Sequence, residues 1–105
     1  MGSTFGNDPG LFPRAGLVRT LALVASDRSM ARVASQLRQV LAAPPASVEA
    51  EPCYRPELSL EHADALVDYL SACEAETSKV DAAEADRLSG LVDCWVRYYL
   101  QLTKR

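Results

Sequence analysis

The side chains most suited to metal binding or nucleophilic attack are the single histidine, His62, and three cysteines, Cys53, Cys73 and Cys94. The cysteines stand 20 and 21 residues apart, whereas a zinc site needs several ligands that converge, commonly paired a few residues apart. A Cys–His nucleophile pair also needs a third group to orient the base. The sequence marks neither arrangement, so we predict no metal, no cofactor and a histidine at the edge of an apolar face.

Asp64 and Asp68 lie one helical turn apart, a spacing that can support acid–base chemistry where a buried pocket separates the two pKa values. Glu61 falls on the same side of the helical wheel, which favours a solvated acidic face instead. The glycines are scattered and form no phosphate-binding loop. We therefore predict that the chain is not an enzyme and has no small-molecule substrate, although residues of another chain could complete a site.

The last predicted helix is unusually apolar. Nine of the twelve residues 91–102 are apolar or aromatic. On the helical wheel these side chains cover an arc of about 240°, against about 100° for an ordinary surface helix. Such a helix must be covered on two or more sides, by its own domain or by another chain. We expect partner contacts at Trp95, Val96, Tyr98 and Leu100, because Trp and Tyr are favoured interface anchors.

Apolar spacings of three and four predict an all-α fold, a small bundle of three to four helices near 15–25, 28–42, 59–75 and 79–103. The last two helices should form an antiparallel hairpin, because only a short polar stretch separates them. Ser26-Asp27, Ser59 and Asp81 are suited to capping helices. Residues 17–24 can also form a buried strand, although their Ala and Leu content favours a helix.

Two segments lack helical patterning. Residues 1–14 form an extended arm rich in Gly and Pro, and its apolar side chains, Phe5, Leu11 and Phe12, are a second candidate contact surface. Residues 43–58 form a connector with four prolines, longer than a compact bundle needs. It crosses the bundle or reaches toward another protein. Residues 15–105 are expected to form a single helical domain.

Composition restricts the class of protein. The 105 residues are 49% hydrophobic and 24% charged, which are values typical of one globular domain. The net charge is −3, yet residues 1–45 carry +3 and residues 46–105 carry −6. The sequence contains no apolar run of about 18 residues, so we predict no membrane span. Unpatterned cysteines indicate a reducing, intracellular compartment with Cys73 and Cys94 packed as small apolar residues, and the cytoplasm is favoured. The Arg-rich beginning shares its composition with mitochondrial presequences, so an organelle stays open.

One stretch resembles a known family. Leu17, Leu21, Val24 and Ala25, followed by Ser29, Val33, Ala34 and Leu37, are spaced as in the first two helices of winged helix-turn-helix repressors. The resemblance covers about 21 residues and implies DNA binding by a recognition helix that follows directly. In this chain residues 44–51, which stand where the recognition helix would follow, contain prolines and acidic residues.

These observations favour a non-catalytic protein–protein interaction or assembly subunit that docks through its C-terminal helix in a larger complex or a homo-oligomer. The alternative is a helix-turn-helix-like DNA-binding regulator that places Arg28, Arg32 and Arg38 on phosphates.

Overall fold

The computed structural model describes residues 11–48 and 51–104. These residues are mostly helical, as the all-α prediction requires, and they also contain a small two-stranded sheet. The N-terminal half contains strand β1 (Phe12–Pro13), helix α1 (Arg14–Val24), a 3-10 turn (Arg28–Met30) and helix α2 (Ala31–Ala42). Strand β2 (Cys53–Tyr54) and helices α3 (Leu60–Thr77) and α4 (Ala82–Thr103) follow. The chain has two compact units, Met1–Leu58 (the N-terminal unit) and Ser59–Arg105 (the C-terminal unit). The single helical domain over 15–105 stays a prediction.

In the N-terminal unit, α1 packs against α2. Leu17 and Val24 of α1 and Leu37 of α2 are fully buried. Residues 17–24 belong to a helix, so the alternative of a buried strand is wrong. The buried hydroxyl of Thr20 donates to the Gly16 carbonyl oxygen at 2.8 Å. This polar side chain therefore has its hydrogen-bond partner within the same helix.

The end of the predicted arm and the predicted connector form a small sheet that the sequence analysis missed. Phe12 pairs with Tyr54 and Pro13 pairs with Cys53, in antiparallel register. On the side of β2 away from β1, the backbone N–H of Cys53 donates to the Ser47 carbonyl oxygen at 2.7 Å. Strands of two residues are too short to show the alternation by which strands are predicted. Pro13 is compatible with its place because it sits at the sheet edge, where its missing N–H costs no ladder bond.

Local caps determine where the helices begin. The Asp27 carboxylate accepts hydrogen bonds from the N–H and hydroxyl of Ser29 at 2.8 and 2.7 Å, and these bonds lower the pKa of the Asp27 carboxyl. The turn that follows is 3-10, so α2 begins at Ala31 instead of near residue 28. The Ser59 hydroxyl accepts from the His62 N–H at 3.1 Å and begins α3. The Asp81 carboxylate accepts from the Glu84 N–H at 3.0 Å, which makes α4 begin at Ala82 and not near residue 79.

The C-terminal unit consists of α3 packed against α4. Each helix contributes a row of buried apolar side chains at helical spacing. The fully or nearly fully buried members are Ala63, Leu66 and Leu70 of α3 and Ala85, Leu88, Leu91, Val92, Trp95 and Tyr98 of α4. Among the described residues, no helix combines the length and apolarity needed to cross a membrane.

Gly90 lies in the interior of α4, where glycine is the least favourable residue apart from proline. It is exposed, its φ is not positive, and a Cβ built on it meets no atom within 4 Å. We expect Gly90→Ala to stabilise the fold by about 0.5–1 kcal/mol, because alanine loses less backbone entropy on folding. Urea unfolding followed by far-ultraviolet circular dichroism measures this change. An unchanged or lower midpoint would show that α4 does not continue regularly through residue 90.

Candidate interaction surfaces

The two aromatic residues predicted to contact a partner are part of the core of this chain. Trp95 is fully buried and Tyr98 is only 4% exposed. Their ring centroids lie 5.4 Å apart with an interplanar angle of 83°, an edge-to-face contact that aromatic pairs prefer. As the chain stands, neither ring is accessible to a partner.

The two aliphatic residues predicted on the same helix are accessible. Leu100 is 49% exposed and Val96, one turn earlier on the same side of α4, is half-buried. The buried side chains of α4 span only about 140° of the helical wheel, which is narrower than the apolar arc. One flank of that arc is therefore left uncovered at the carboxyl end of α4.

Two further exposed apolar residues in the C-terminal unit were not predicted as contacts. Leu60, the first residue of α3, is 48% exposed, although it lies three residues before the buried Ala63 on that helix. Val80, between α3 and α4, is 86% exposed. The exposure of Leu60 could have been predicted from its position directly after the capping residue Ser59, because the first turn of a helix projects beyond the packed seam.

The arm residues fall in three different places. Phe12 is buried, where its backbone pairs with Tyr54, so its ring is not free for a partner. Leu11 is half-buried. Phe5 lies outside the described residues. The part of the arm that the structure describes therefore belongs to the N-terminal unit.

The exposed side of α3 is acidic. Glu61, Asp64 and Asp68 are exposed, and the helix contains no Lys or Arg. Because no cation of the same helix offsets them, these carboxylates give α3 a negative surface that begins beside Leu60.

The exposed surface of α2 and of the 3-10 turn before it has the opposite sign. Arg28, Arg32 and Arg38 are exposed, and residues 28–42 contain no carboxylate. This is the surface that the DNA-binding alternative requires. It lies in the N-terminal unit, whereas the acidic helix lies in the C-terminal unit.

The N-terminal unit also has an open cleft of about 320 Å³, at the small end of the range for ligand pockets. The end of α2 forms one wall with Gln36 and Gln39, and the segment after β2 forms the other with Arg55 and Glu57. Glu57 has a φ of 54°, a left-handed conformation that costs a non-glycine residue roughly 1–2 kcal/mol. The walls mix amide, cationic and anionic groups, and no single ligand chemistry is indicated by that mixture.

The cysteines are distributed differently from the prediction. Cys53 is the fully buried one, while Cys73 and Cys94 are only half-buried, and all three are free thiols. Cys53 is buried because it is the central residue of the small sheet. Burial raises the pKa of the Cys53 thiol, and the negative charge of Glu51 raises it further. Within the described residues, no three His, Cys, Asp or Glu side chains are grouped so as to hold a metal ion.

No protein-family model, curated protein or solved structure matches this chain.

Trp95→Ala tests whether the aromatic residues are core. We expect the substitution to reduce the free energy of unfolding by about 3–5 kcal/mol, because it removes a large buried side chain and leaves a cavity. Leu100→Ala is the matched control on the same helix, and we expect it to cost less than about 1 kcal/mol because half of that side chain is already in water. Urea unfolding followed by circular dichroism measures both. A Trp95→Ala protein as stable as the control would contradict the core assignment.

Thiol alkylation with iodoacetamide tests the burial of the cysteines. The thiolate is the reacting species, so Cys53, with its raised pKa and no solvent access, should react most slowly in the folded chain. Because its pKa is raised, its rate should rise only at a higher pH than that of an ordinary thiol. Mass spectrometry of the digested protein after timed labelling measures each site. Equal rates at Cys53 and Cys94 would mean that the small sheet does not persist in solution.

Proposed function

We propose that this chain is a non-catalytic interaction or assembly subunit that docks through its C-terminal helix in a larger complex or a homo-oligomer. The observation that carries the proposal is the uncovered flank of α4, where Leu100 is 49% exposed beside Val96. A scattered exposed leucine is ordinary on protein surfaces. An exposed leucine that continues an apolar arc of about 240° is a more specific sign of an interface.

We infer that α3 and α4 form an antiparallel hairpin. The two helices pack against each other, and only residues 78–81 separate them, which leaves no length for a parallel return. In such a hairpin the first turn of α3 and the last turn of α4 lie at the same end. Leu60, Val96 and Leu100 then form one exposed apolar surface, which we name the open-end patch. Val80 lies at the opposite end.

The energetics favour a docking role within a larger interface. Covering the exposed half of a leucine side chain contributes about 1 kcal/mol. Leu60 and Leu100 together therefore supply about 2 kcal/mol, while a dissociation constant of 1 mM already requires about 4 kcal/mol. The open-end patch is thus an anchor for one partner contact, and the remaining affinity comes from polar groups or from other surfaces of the complex.

The proposed compartment is the interior of the cell, with the cytoplasm favoured over an organelle. The three free thiols, two of them partly exposed, fit a reducing environment, in which such cysteines remain unpaired.

The second candidate, a DNA-binding regulator, is supported by three exposed arginines, Arg28 in the 3-10 turn and Arg32 and Arg38 in α2, with no carboxylate in residues 28–42. Against it, the segment after α2 does not form the recognition helix that the resemblance implies, because residues 43–48 contain no helix.

Substitutions at the two ends of the C-terminal unit test the docking proposal. We expect Leu100→Asp to abolish the retrieval of partners from the native extract, or to convert an oligomer to a monomer in light scattering, because it places a charge in the apolar contact. Val80→Asp is the matched control, since it adds the same charge at a more exposed site, and it should change neither result. Circular dichroism should show both variants folded. A wild-type chain that is monomeric and retrieves nothing, or equal loss with both variants, would overturn the proposal.

Salt dependence separates the two candidates. A DNA complex that used the three arginines would weaken steeply as salt rises, because phosphate contacts release counterions. Fluorescence anisotropy with a labelled duplex, repeated with Arg32→Ala and with Leu100→Asp, measures this. Salt-sensitive binding that is lost with Arg32→Ala and kept with Leu100→Asp would favour the DNA-binding candidate.

A further inference from the structure

We infer that the partner of the open-end patch is a cationic amphipathic helix. This inference rests on the proposed function and specifies the chemistry of the partner. Its basis is the continuity of the patch with the acidic side of α3: Leu60, Asp64 and Asp68 follow one another at intervals of four residues and are all exposed. Residues four apart on a helix are surface neighbours. An apolar anchor therefore leads directly into a row of carboxylates.

The charge of this surface selects the class of partner. The C-terminal unit carries nine acidic and five basic residues. None of the basic residues is in α3, whereas exposed Arg97 and Lys104 lie three and four residues from Leu100 at the end of α4, so the negative part of the patch is the α3 side. Nucleic acids and anionic lipid surfaces would be repelled by this row, because both bind through positive charge on the protein. A protein segment with Lys or Arg beside its apolar residues is attracted to it.

An isologous contact between two copies of this chain fits the surface poorly. An isologous contact brings the same patch of both copies together, so the carboxylates next to Leu60 in one copy would approach those of the other. Like charges brought together in an interface oppose binding. The charge of α3 thus opposes an isologous pairing of two copies at this patch.

The secondary structure favours a helix as the partner's form. In the described residues of the C-terminal unit there is no strand, so no sheet edge is available to pair with an extended peptide. The helices of this unit bond their own backbone groups, which leaves side chains to carry recognition. An amphipathic helix presents apolar and charged side chains at the spacing that a helical surface can match.

Two synthetic helical peptides test the inference with the whole chain. Both are about 18 residues long, with leucine at intervals of three and four; one carries lysine at the remaining positions and the other glutamate. We expect the lysine peptide to bind at least about tenfold more tightly than the glutamate peptide in fluorescence anisotropy. The preference should shrink as salt rises from low to physiological concentration, because exposed charges are screened.

Matched charge reversals locate the contact. Asp64→Lys should weaken binding of the lysine peptide by about tenfold, because it reverses a charge beside the anchor. Asp86→Lys changes the net charge equally, at an exposed site near the beginning of α4, and should have a much smaller effect. Leu100→Asp should remove binding of the lysine peptide altogether.

The outcomes distinguish this inference from the proposed function. Equal binding of the two peptides, binding of neither, or equal effects of Asp64→Lys and Asp86→Lys would overturn the cationic-helix inference. None of these results overturns the docking proposal, which is tested separately by comparing Leu100→Asp with Val80→Asp in the native extract. If that comparison fails as well, the surface is not a docking site.

Discussion

The burial of Trp95 is the constraint on which the C-terminal helix depends. An indole is the largest side chain in the chain's core, and its complete burial determines which side of α4 faces inward. The ring of Tyr98, one turn later, is nearly perpendicular to the indole and is buried beside it. Once these two rings are inside, the wide apolar arc cannot all be covered. The part that extends past Val96 toward Leu100 is left at the surface.

Features governed by a few neighbouring residues could be predicted from the sequence. The capping roles of Asp27, Ser59 and Asp81 are confirmed because a side-chain oxygen that accepts from an N–H two or three residues away needs no distant partner. The helix over 17–24 follows from local preference in the same way. The pairing of Phe12 with Tyr54 joins residues far apart in the chain. Strands of two residues carry no periodic pattern, so this pairing could not be predicted from the sequence.

The candidate site was less predictable than the helices, for a physical reason. A helical wheel shows which side chains are apolar, but it does not show how many neighbours cover them. Trp95 and Leu100 belong to the same arc, yet the first is fully buried and the second is about half exposed. Leu60 shows the same limit of the helical wheel, because it lies three residues before the buried Ala63 and yet, in the first turn of α3, it is 48% exposed. The exposure of Cys73 and Cys94, expected in the core, was misjudged for the same reason.

The open-end patch is small, and its size has a consequence for how the proposed complex would be made specific. Two half-exposed leucines attract any apolar surface and discriminate little between partners. In the proposed complex the carboxylates of α3 would add the discrimination, because they repel anionic partners and attract cationic ones, while contributing little affinity of their own in water. Weak apolar anchoring combined with the negative charge of α3 would suit a subunit that joins one complex without binding to others.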